Sequence, residues 1–193
     1  MPGHQPPEMR AAQLKEDLPA LSELGEAPAA AILARLDPEV LRRIEAATRV
    51  DWLPLAVDLA LVRAVRDEVG DDGLRRWGRA AARRNANALF RPLIEAAVRL
   101  FGFTPAGVFR FLPQAWKAAF RGCGELRVDP VSHGELRIVL VAPPDAARDP
   151  AFLASIAGAF EVVYETCGMD GRVQVERVEP GEVVFRATWT PRR

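Results

Sequence analysis

Few residues in this chain combine a reactive side chain with the neighbours that catalysis requires. Cys123 follows Arg121 by two positions in RGCGEL, and a nearby guanidinium favours the thiolate if both groups face one pocket. His133 lies in VSHG, between two predicted strands, where turn residues are common for their backbone tolerance. Nucleophilic catalysis needs a base held against the nucleophile. We expect no catalytic residue, and an enzyme that uses Cys123 or His133 stays the alternative.

Acidic and metal-binding patterns are equally sparse. Glu161 and Glu165 are four residues apart and share one face of a predicted helix. Paired carboxylates can perform acid–base chemistry, but no second acidic cluster accompanies them, so a solvated face is expected. The two cysteines, Cys123 and Cys167, are too distant in sequence for a zinc spacing. No GxGxxG or GK[ST] motif is present. We therefore expect no metal and no phosphate-binding loop.

The segment GDDGLRRWGRAAARRNA, residues 70–86, is the most distinctive charged stretch, with five arginines. At 100° per residue, four of them fall within about 100° of one helix face. These four define the arginine stripe: Arg75, Arg76, Arg79 and Arg83. The opposite face is mostly small, and Gly78 and Ala82 lie four apart, which lets another element approach closely. Asn85 falls on that face and would need a hydrogen-bond partner if buried.

The arginine stripe has three interpretations. Residues 63–127 hold 13 basic and six acidic side chains, whereas the segments before and after them are net acidic, so the stripe is explained by a solvated face with internal charge compensation. Because arginine is enriched at interfaces, an acidic protein partner is the second interpretation. A homodimer stays open, although like charges disfavour pairing of two stripes. Nucleic-acid binding through residues 72–90 is the weakest, since no base-reading groups accompany the arginines.

Large aromatic side chains are the best candidates for a ligand pocket. Aromatic residues make up only 7% of the chain, yet four of them are tryptophans. Such residues either anchor helices to a sheet or line a pocket for a flat ligand, and both hold if the core contains a cavity. The ligand-pocket candidates are Trp52, Trp77, Trp116 and Phe160.

Composition limits the class of protein. The 26 basic and 26 acidic side chains cancel, which removes any global attraction to polyanions. Apolar residues make up 49% and charged residues 27%, as in ordinary globular proteins. No apolar run approaches the ~18 residues of a membrane span, and the N-terminus has no signal-like apolar core. We expect a reduced, cytoplasmic protein with one domain.

Periodicity divides that domain into a helical part and a part with strands. Residues 1–8 contain three prolines and predict a disordered tail, followed by a single α+β domain over 9–193. Helical spacing fills 9–122, with Asp51 as the N-cap of a helix that holds Pro54 in its first turn and ends at Gly70. The other predicted helices are 10–24, 28–36, 38–48, 72–90, 92–101 and one that begins at Thr104-Pro105 and is broken or kinked at Pro113.

From Gly122 onward the apolar period changes from 3.6 to 2. Strands at 125–130 and 135–142 are followed by a helix at 150–167 and by a second hairpin about Pro180-Gly181. The facing valines and aromatics of the second hairpin are predicted to be Val173, Val175 and Val178 against Val184, Phe185 and Trp189. Residues 123–190 therefore predict ββαββ, an antiparallel sheet of two hairpins with an intervening helix, packed against the N-terminal helical part.

This order of motifs resembles a known group of proteins. Trp52-Leu53-Pro54, the arginine-rich helix, Leu112-Pro113-x-x-Trp116 and a ββαββ unit that ends in a tryptophan are similar to an uncharacterised myxobacterial family. That family in turn resembles the superfamily of heme–NO-binding domains, vinyl-4-reductase-type sensory domains and TRAPP subunits. The resemblance implies a cavity between helices and sheet.

The cofactors of that superfamily are not implied for this chain. Heme–NO binding uses a histidine on a helix, whereas the histidines here are His4 in the tail and His133 in a turn. The heme-propionate signature Tyr-x-Ser-x-Arg is missing, since Tyr164 is followed by Glu165-Thr166-Cys167. We expect no cofactor. The resulting hypothesis is a non-catalytic regulatory or sensory module that binds a small apolar ligand in an internal cavity, or a protein partner.

Overall fold

The computed structural model describes residues 6–86 and 104–192. Strand β1 (Glu8–Arg10) leads into α1 (Ala11–Ala20), a 3₁₀ turn (Leu21–Leu24), α2 (Glu26–Arg35) and α3 (Pro38–Ala46). Strand β2 (Trp52–Pro54) precedes the long helical segment α4 (Leu55–Asn85). The second described part contains α5 (Pro105–Phe109), α6 (Leu112–Ala119), β3 (Phe120–Arg121), β4 (Glu125–Ser132), β5 (Glu135–Val141), α7 (Pro150–Phe160), α8 (Val162–Cys167), β6 (Met169–Val178) and β7 (Glu182–Pro191). The architecture is α+β, as predicted.

Three short strands form a small sheet that the sequence does not predict. Strand β1 lies between β2 and β3, antiparallel to both, and Met9 pairs with Leu53 and Phe120. The predicted tail over residues 1–8 is therefore wrong at Glu8, because backbone hydrogen bonds to two distant segments hold this strand in place. Residues 1–5 lie outside the described part of the chain.

The start of α4 also differs from the prediction. Asp51 does not cap this helix; its carboxylate accepts a hydrogen bond from the Thr48 backbone N–H at 2.6 Å and closes the preceding turn. Trp52 to Pro54 are extended, and the helix begins at Leu55. Further along, Gly70 has a φ of 68° and interrupts the helical geometry, so the predicted break between two helices is present. The predicted helix 92–101 and the end of the predicted helix 72–90 lie outside the described residues.

Caps and prolines set the remaining helix boundaries. Asp37 accepts from the Glu39 N–H at 2.8 Å at the start of α3, and Thr104 accepts from the Gly107 N–H at 3.2 Å at the start of α5. Asp149 accepts from two backbone N–H groups at the start of α7. The single helix predicted over 150–167 is in fact two, because the chain leaves regular helical geometry at Glu161. Gly168 ends α8 with a left-handed conformation.

The larger sheet has four antiparallel strands in the order β4-β5-β7-β6. Its inner face is fully buried at Ile138, Val173 and Phe185, and these residues join one apolar cluster with the helices. In the second hairpin Val175 pairs with Phe185, as predicted, whereas Val178 pairs with Val183, and the two valines are 37% and 48% exposed. Strand β6 is an edge strand, and a register shift between Val175 and Arg177 interrupts its alternation.

Candidate functional site

A cavity of about 180 Å³ lies inside the helical part, between α1, α4, α6 and α7. Its walls are predominantly apolar, and the sheet contributes Leu126. For comparison, an engineered apolar cavity of roughly 150 Å³ is large enough to bind benzene. The described residues of the apolar wall include Trp77, Ala81, Ala115, Trp116, Ala159 and Phe160. The space therefore suits one ring or a short aliphatic chain.

One part of the wall is polar. Gln13 and Asp17 of α1 and Asp58 and Asn85 of α4 all line the cavity, and each is at most 7% exposed. The two helices that carry them, α1 and α4, pack against each other and contribute apolar side chains to the same cluster. Burial of four polar side chains is costly unless hydrogen bonds compensate. The polar cluster, defined as these four residues, is the first candidate for specific ligand contacts.

The two acids of the polar cluster have strongly perturbed environments. Burial raises the pKa of Asp58 to about 7. Burial also raises the pKa of Asp17 well above its usual range, and the nearby charge of Asp58 acts in the same direction, whereas the hydrogen bond from Asn85 opposes it. No lysine, arginine or histidine is among the described residues that line the cavity. The two carboxyl groups thus lie near each other, and no described residue of the cavity lining supplies a counter-ion.

Within the polar cluster, Asn85 has one polar side-chain atom with a hydrogen-bond partner and one without. Its Nδ2 donates to Asp17 Oδ1 at 2.9 Å, while its Oδ1 is buried and has no hydrogen-bond partner in the described part of the chain. Trp77 Nε1 donates to the Asp17 backbone carbonyl at 3.1 Å, which fixes the ring beside the same acid. The sequence places Asn85 on the packing face and requires a partner for it, and that partner is Asp17. One acceptor nevertheless remains unused.

The structure places three of the four ligand-pocket candidates on the cavity wall. Trp77, Trp116 and Phe160 line it. Trp116 also donates from Nε1 to the Gly124 carbonyl at 3.1 Å, so its ring is anchored at the base of the sheet. Trp52 does not line the cavity; it is half-buried between the guanidinium groups of Arg10 and Arg121, 4.2 and 3.8 Å from its ring centroid. It contributes cation–π contacts to the small sheet instead.

Most of the arginine stripe is paired within the molecule. Arg75 bonds Glu161, Arg79 lies 3.2 Å from the same carboxylate, and Arg83 reaches Glu165 at 2.9 Å. Glu161 is only 3% exposed and also accepts from a backbone N–H of β6 at 3.1 Å. The expectation that Glu161 belongs to a solvated face is therefore wrong, because the arginines and that N–H satisfy the buried carboxylate.

The other two arginines of residues 70–86 are Arg84 and Arg76. Arg84, which stands apart from the stripe, lies 3.6 Å from Glu16 of α1. Arg76 is exposed and makes no ion pair with the residues that the structure describes. Acids after the helix, Glu161 and Glu165, thus compensate Arg75, Arg79 and Arg83, and Glu16 before the helix compensates Arg84. Of the proposed partner surface, Arg76 alone keeps its charge available there.

Cys123 and His133, the two residues of the enzyme alternative, do not form a catalytic site in this structure. Cys123 is 1% exposed, and its Sγ lies 3.2 Å from the Arg121 carbonyl and 3.8 Å from the Glu8 carbonyl. Burial raises the pKa of the Cys123 thiol to about 12, so the thiol is protonated at neutral pH. His133 is exposed in the turn between β4 and β5. Neither residue lines the cavity.

The fold of this chain is similar to that of solved H-NOX proteins. Solved structures of H-NOX proteins have the same arrangement of elements over nearly the whole chain. The Fe(II) unliganded H-NOX protein from K. algicida has a TM-score of 0.61 and 12% identity, covering 95% of this chain and 98% of that one. An oxygen-binding H-NOX domain related to soluble guanylate cyclases has a TM-score of 0.62 and 11% identity, with 95% and 96% covered.

A third H-NOX structure, from work on heme distortion in that family, has a TM-score of 0.63 and 12% identity, covering 96% of this chain and 97% of its own. No family model and no curated protein matches the sequence. Identity at this level shows the fold alone: the chain has the H-NOX fold, as the resemblance implies.

Heme does not fit the described cavity. Its described lining offers no histidine, cysteine or tyrosine as an axial ligand, and residues 87–103 contain none of these types. Pockets for drug-sized ligands occupy on the order of 300–1,000 Å³, well above the 180 Å³ found here. The polar cluster also presents carboxyl groups, whereas anionic propionates need cations. Among the described residues there is further no group of three metal-ligating side chains and no helix suited to crossing a membrane.

Proposed function

We propose that this chain is a non-catalytic, sensory or regulatory binding module whose cavity receives one small, mainly apolar molecule. The observation that carries the proposal is the apolar cavity of about 180 Å³ with four buried polar side chains on its wall. An apolar pocket with a few convergent polar groups and perturbed acids is the usual form of a small-molecule site. The solved H-NOX domains with the same fold are themselves described as heme and oxygen proteins, which supports a ligand-binding role.

The proposal also covers the family of the chain, its regulatory output and its protein partner. Membership of the myxobacterial family and a regulatory output through a protein partner follow from the resemblance of the motifs. An acidic partner would have to dock at Arg76, because its three neighbours in the stripe are held by Glu161 and Glu165. The buried, protonated thiol of Cys123 and the exposed position of His133 favour a module without catalysis.

Toluene binding by a matched pair of variants tests the ligand proposal. Ala115 lines the cavity from α6, whereas Ala118 of the same helix is exposed. We expect the wild type and Ala118→Leu to bind toluene equally in ligand-observed NMR titrations. Ala115→Leu should bind at least tenfold more weakly, because the added carbons occupy the cavity.

Circular dichroism and thermal melting of both variants establish that each one is folded. Unchanged toluene binding to a folded Ala115→Leu contradicts the proposal, as does a wild type that binds neither toluene nor a polar analogue of the same size.

A further inference from the structure

The polar cluster contains one buried hydrogen-bond acceptor that has no partner among the described residues. Asn85 Oδ1 is buried without a partner in the described part of the chain, and Asn85, only 5% exposed, lines the cavity. The amide nitrogen of the same side chain is already used by Asp17. A buried carbonyl oxygen without a donor costs on the order of 1–3 kcal/mol. The cavity therefore contains a group that a donor on a ligand would satisfy.

Asp58 adds a second acceptor on the wall of the same cavity. It is 3% exposed, lines the cavity, and has no hydrogen bond or ion pair to its carboxyl group among the described residues. Its charge acts on both Asp17 and Cys123, so its carboxyl group lies near both side chains. A buried carboxyl without a cation is an unusual arrangement, because charged side chains in protein interiors are nearly always paired.

Within residues 6–86 and 104–192, the arginines of α4 do not supply the missing cation. The nearby arginines of α4 are directed away from the cavity, with Arg75 on Glu161 and Arg84 beside Glu16. Arg63, on the same helix as Asp58, is bonded to Asp149 at 2.6 Å. The apolar remainder of the cavity has room for about one ring. A ligand that fills this space and carries a positive nitrogen would satisfy both the apolar wall and the free acceptors.

We propose that the cavity selects small primary amines with a single ring or short alkyl chain, whose ammonium group is held by Asp58 and Asn85 Oδ1 while the apolar body packs against Trp77, Trp116 and Phe160. An ammonium has three N–H donors on one atom, which suits a cavity whose wall carries two acceptors, each near Asp17. The positive charge also compensates the acids, which a neutral donor of the same shape cannot do. This proposal rests on the proposed function and specifies its ligand class.

Four probes of similar size test whether the charge or the hydrogen-bond donors of a ligand determine its affinity. Benzylamine is cationic, benzyl alcohol is a neutral donor, toluene is apolar and benzoate is anionic. We expect isothermal titration at pH 7.5 to show benzylamine binding at least tenfold more tightly than toluene or benzyl alcohol, and no measurable binding of benzoate. Equal affinity for benzylamine and toluene, or tighter binding of benzoate, would overturn the amine proposal.

Variants of the acceptors identify where the amine binds. Asp58→Asn should lower the affinity for benzylamine at least tenfold and leave that for toluene within twofold, which also shows that the variant is folded. Asn85→Leu, which removes the free acceptor, should have the same selective effect. Asp67→Asn provides a matched control, since Asp67 is exposed on the same helix. Unchanged benzylamine binding to Asp58→Asn would overturn the proposal.

The two proposals fail in distinguishable ways. Toluene bound without preference for the amine removes the amine selectivity and keeps the ligand-binding module. No binding of any of the four probes removes both. Benzylamine bound without detectable toluene binding supports the amine proposal, because the polar contact then supplies the affinity.

Discussion

At the scale of single residues, the environment of Asp58 is the most informative feature of this molecule. The side chain lies in the apolar stretch LAVDLALV, where an acid facing the core is the exception. Desolvation without a counter-ion keeps its carboxyl protonated up to about neutral pH, since the pKa is raised to about 7. The same carboxyl that binds a cationic ligand is thus a destabilising group in the empty protein.

The first prediction concerns the pH dependence of stability. The folded-state pKa of Asp58 lies above its unfolded value of about 3.9, so the native state holds the proton more tightly and its contribution to stability is complete below pH 4. That contribution is lost as pH rises from about 4 through 7, by up to roughly 4 kcal/mol. Asp17 acts in the same direction, because its pKa is also raised.

Urea unfolding of the wild type and Asp58→Asn at pH 4.5, 5.5, 6.5 and 7.5 measures this effect. We expect the free energy of unfolding of the wild type to fall with pH, and that of Asp58→Asn to fall less, so that the variant is the more stable at pH 7.5. Asp67→Asn, exposed on the same helix, should follow the wild type. Parallel profiles for the wild type and Asp58→Asn would show that Asp58 is not held in a desolvated state.

At the scale of elements, the crossing of α4 and α7 positions the cavity wall. A Cβ added at Gly78 would lie 2.5 Å from the Ser155 carbonyl oxygen, and one at Gly158 would lie closer still to the Arg75 carbonyl oxygen. The two helix backbones are therefore nearly in contact. Glycines at both positions, together with the ion pair of Arg75 and Glu161, set this close approach.

The second prediction is that either glycine is required for this contact. Gly78→Ala and Gly158→Ala should each lower the free energy of unfolding by about 1–3 kcal/mol, because a methyl group forces the helices apart. Chemical denaturation measures the change. Gly181→Ala is the matched control, since no atom lies within 4 Å of an added Cβ there, and we expect less than about 0.5 kcal/mol. Equal effects at the three positions would contradict the role of the helix crossing.

At the scale of the whole molecule, the buried thiols report on global opening. Cys123 is 1% and Cys167 is 9% exposed, and burial raises the pKa of the second thiol to about 11. Both belong to the apolar cluster that joins helices and sheet. A reagent therefore reaches them only when that cluster opens.

The third prediction is that both thiols react slowly with a thiol reagent at pH 7.5 in the native state. Their labelling should increase with urea along the same transition that circular dichroism follows. Ser132→Cys, in the exposed β4–β5 turn, should be labelled at once and supplies the reference rate. Rapid labelling of Cys123 in the folded protein would instead favour the enzyme alternative.

Local signals in the sequence predict much of the fold. Asp37-Pro38, Thr104-Pro105 and Gly168 mark helix ends that the structure confirms, since capping and left-handed glycine act within a few residues. The change of apolar period at Gly122 predicts the four-stranded antiparallel sheet. The small sheet of β1, β2 and β3 has no such signal, because its strands are two or three residues long and pair only across large sequence separations.

The candidate site is likewise predictable from the sequence only in part. Trp77, Trp116, Phe160 and the need of Asn85 for a partner are recognisable from residue type and helical periodicity. The position of Asp17, Asp58 and Gln13 on one cavity wall, and the burial of Glu161 by the arginine stripe, are decided only by the packing of α1 and α7 against α4. Sequence spacing determines which face of its own helix a side chain occupies. Whether that face meets solvent, a counter-ion or a cavity depends on segments far away in the sequence, such as Glu161, which is 86 residues from Arg75, and only the tertiary structure brings them together.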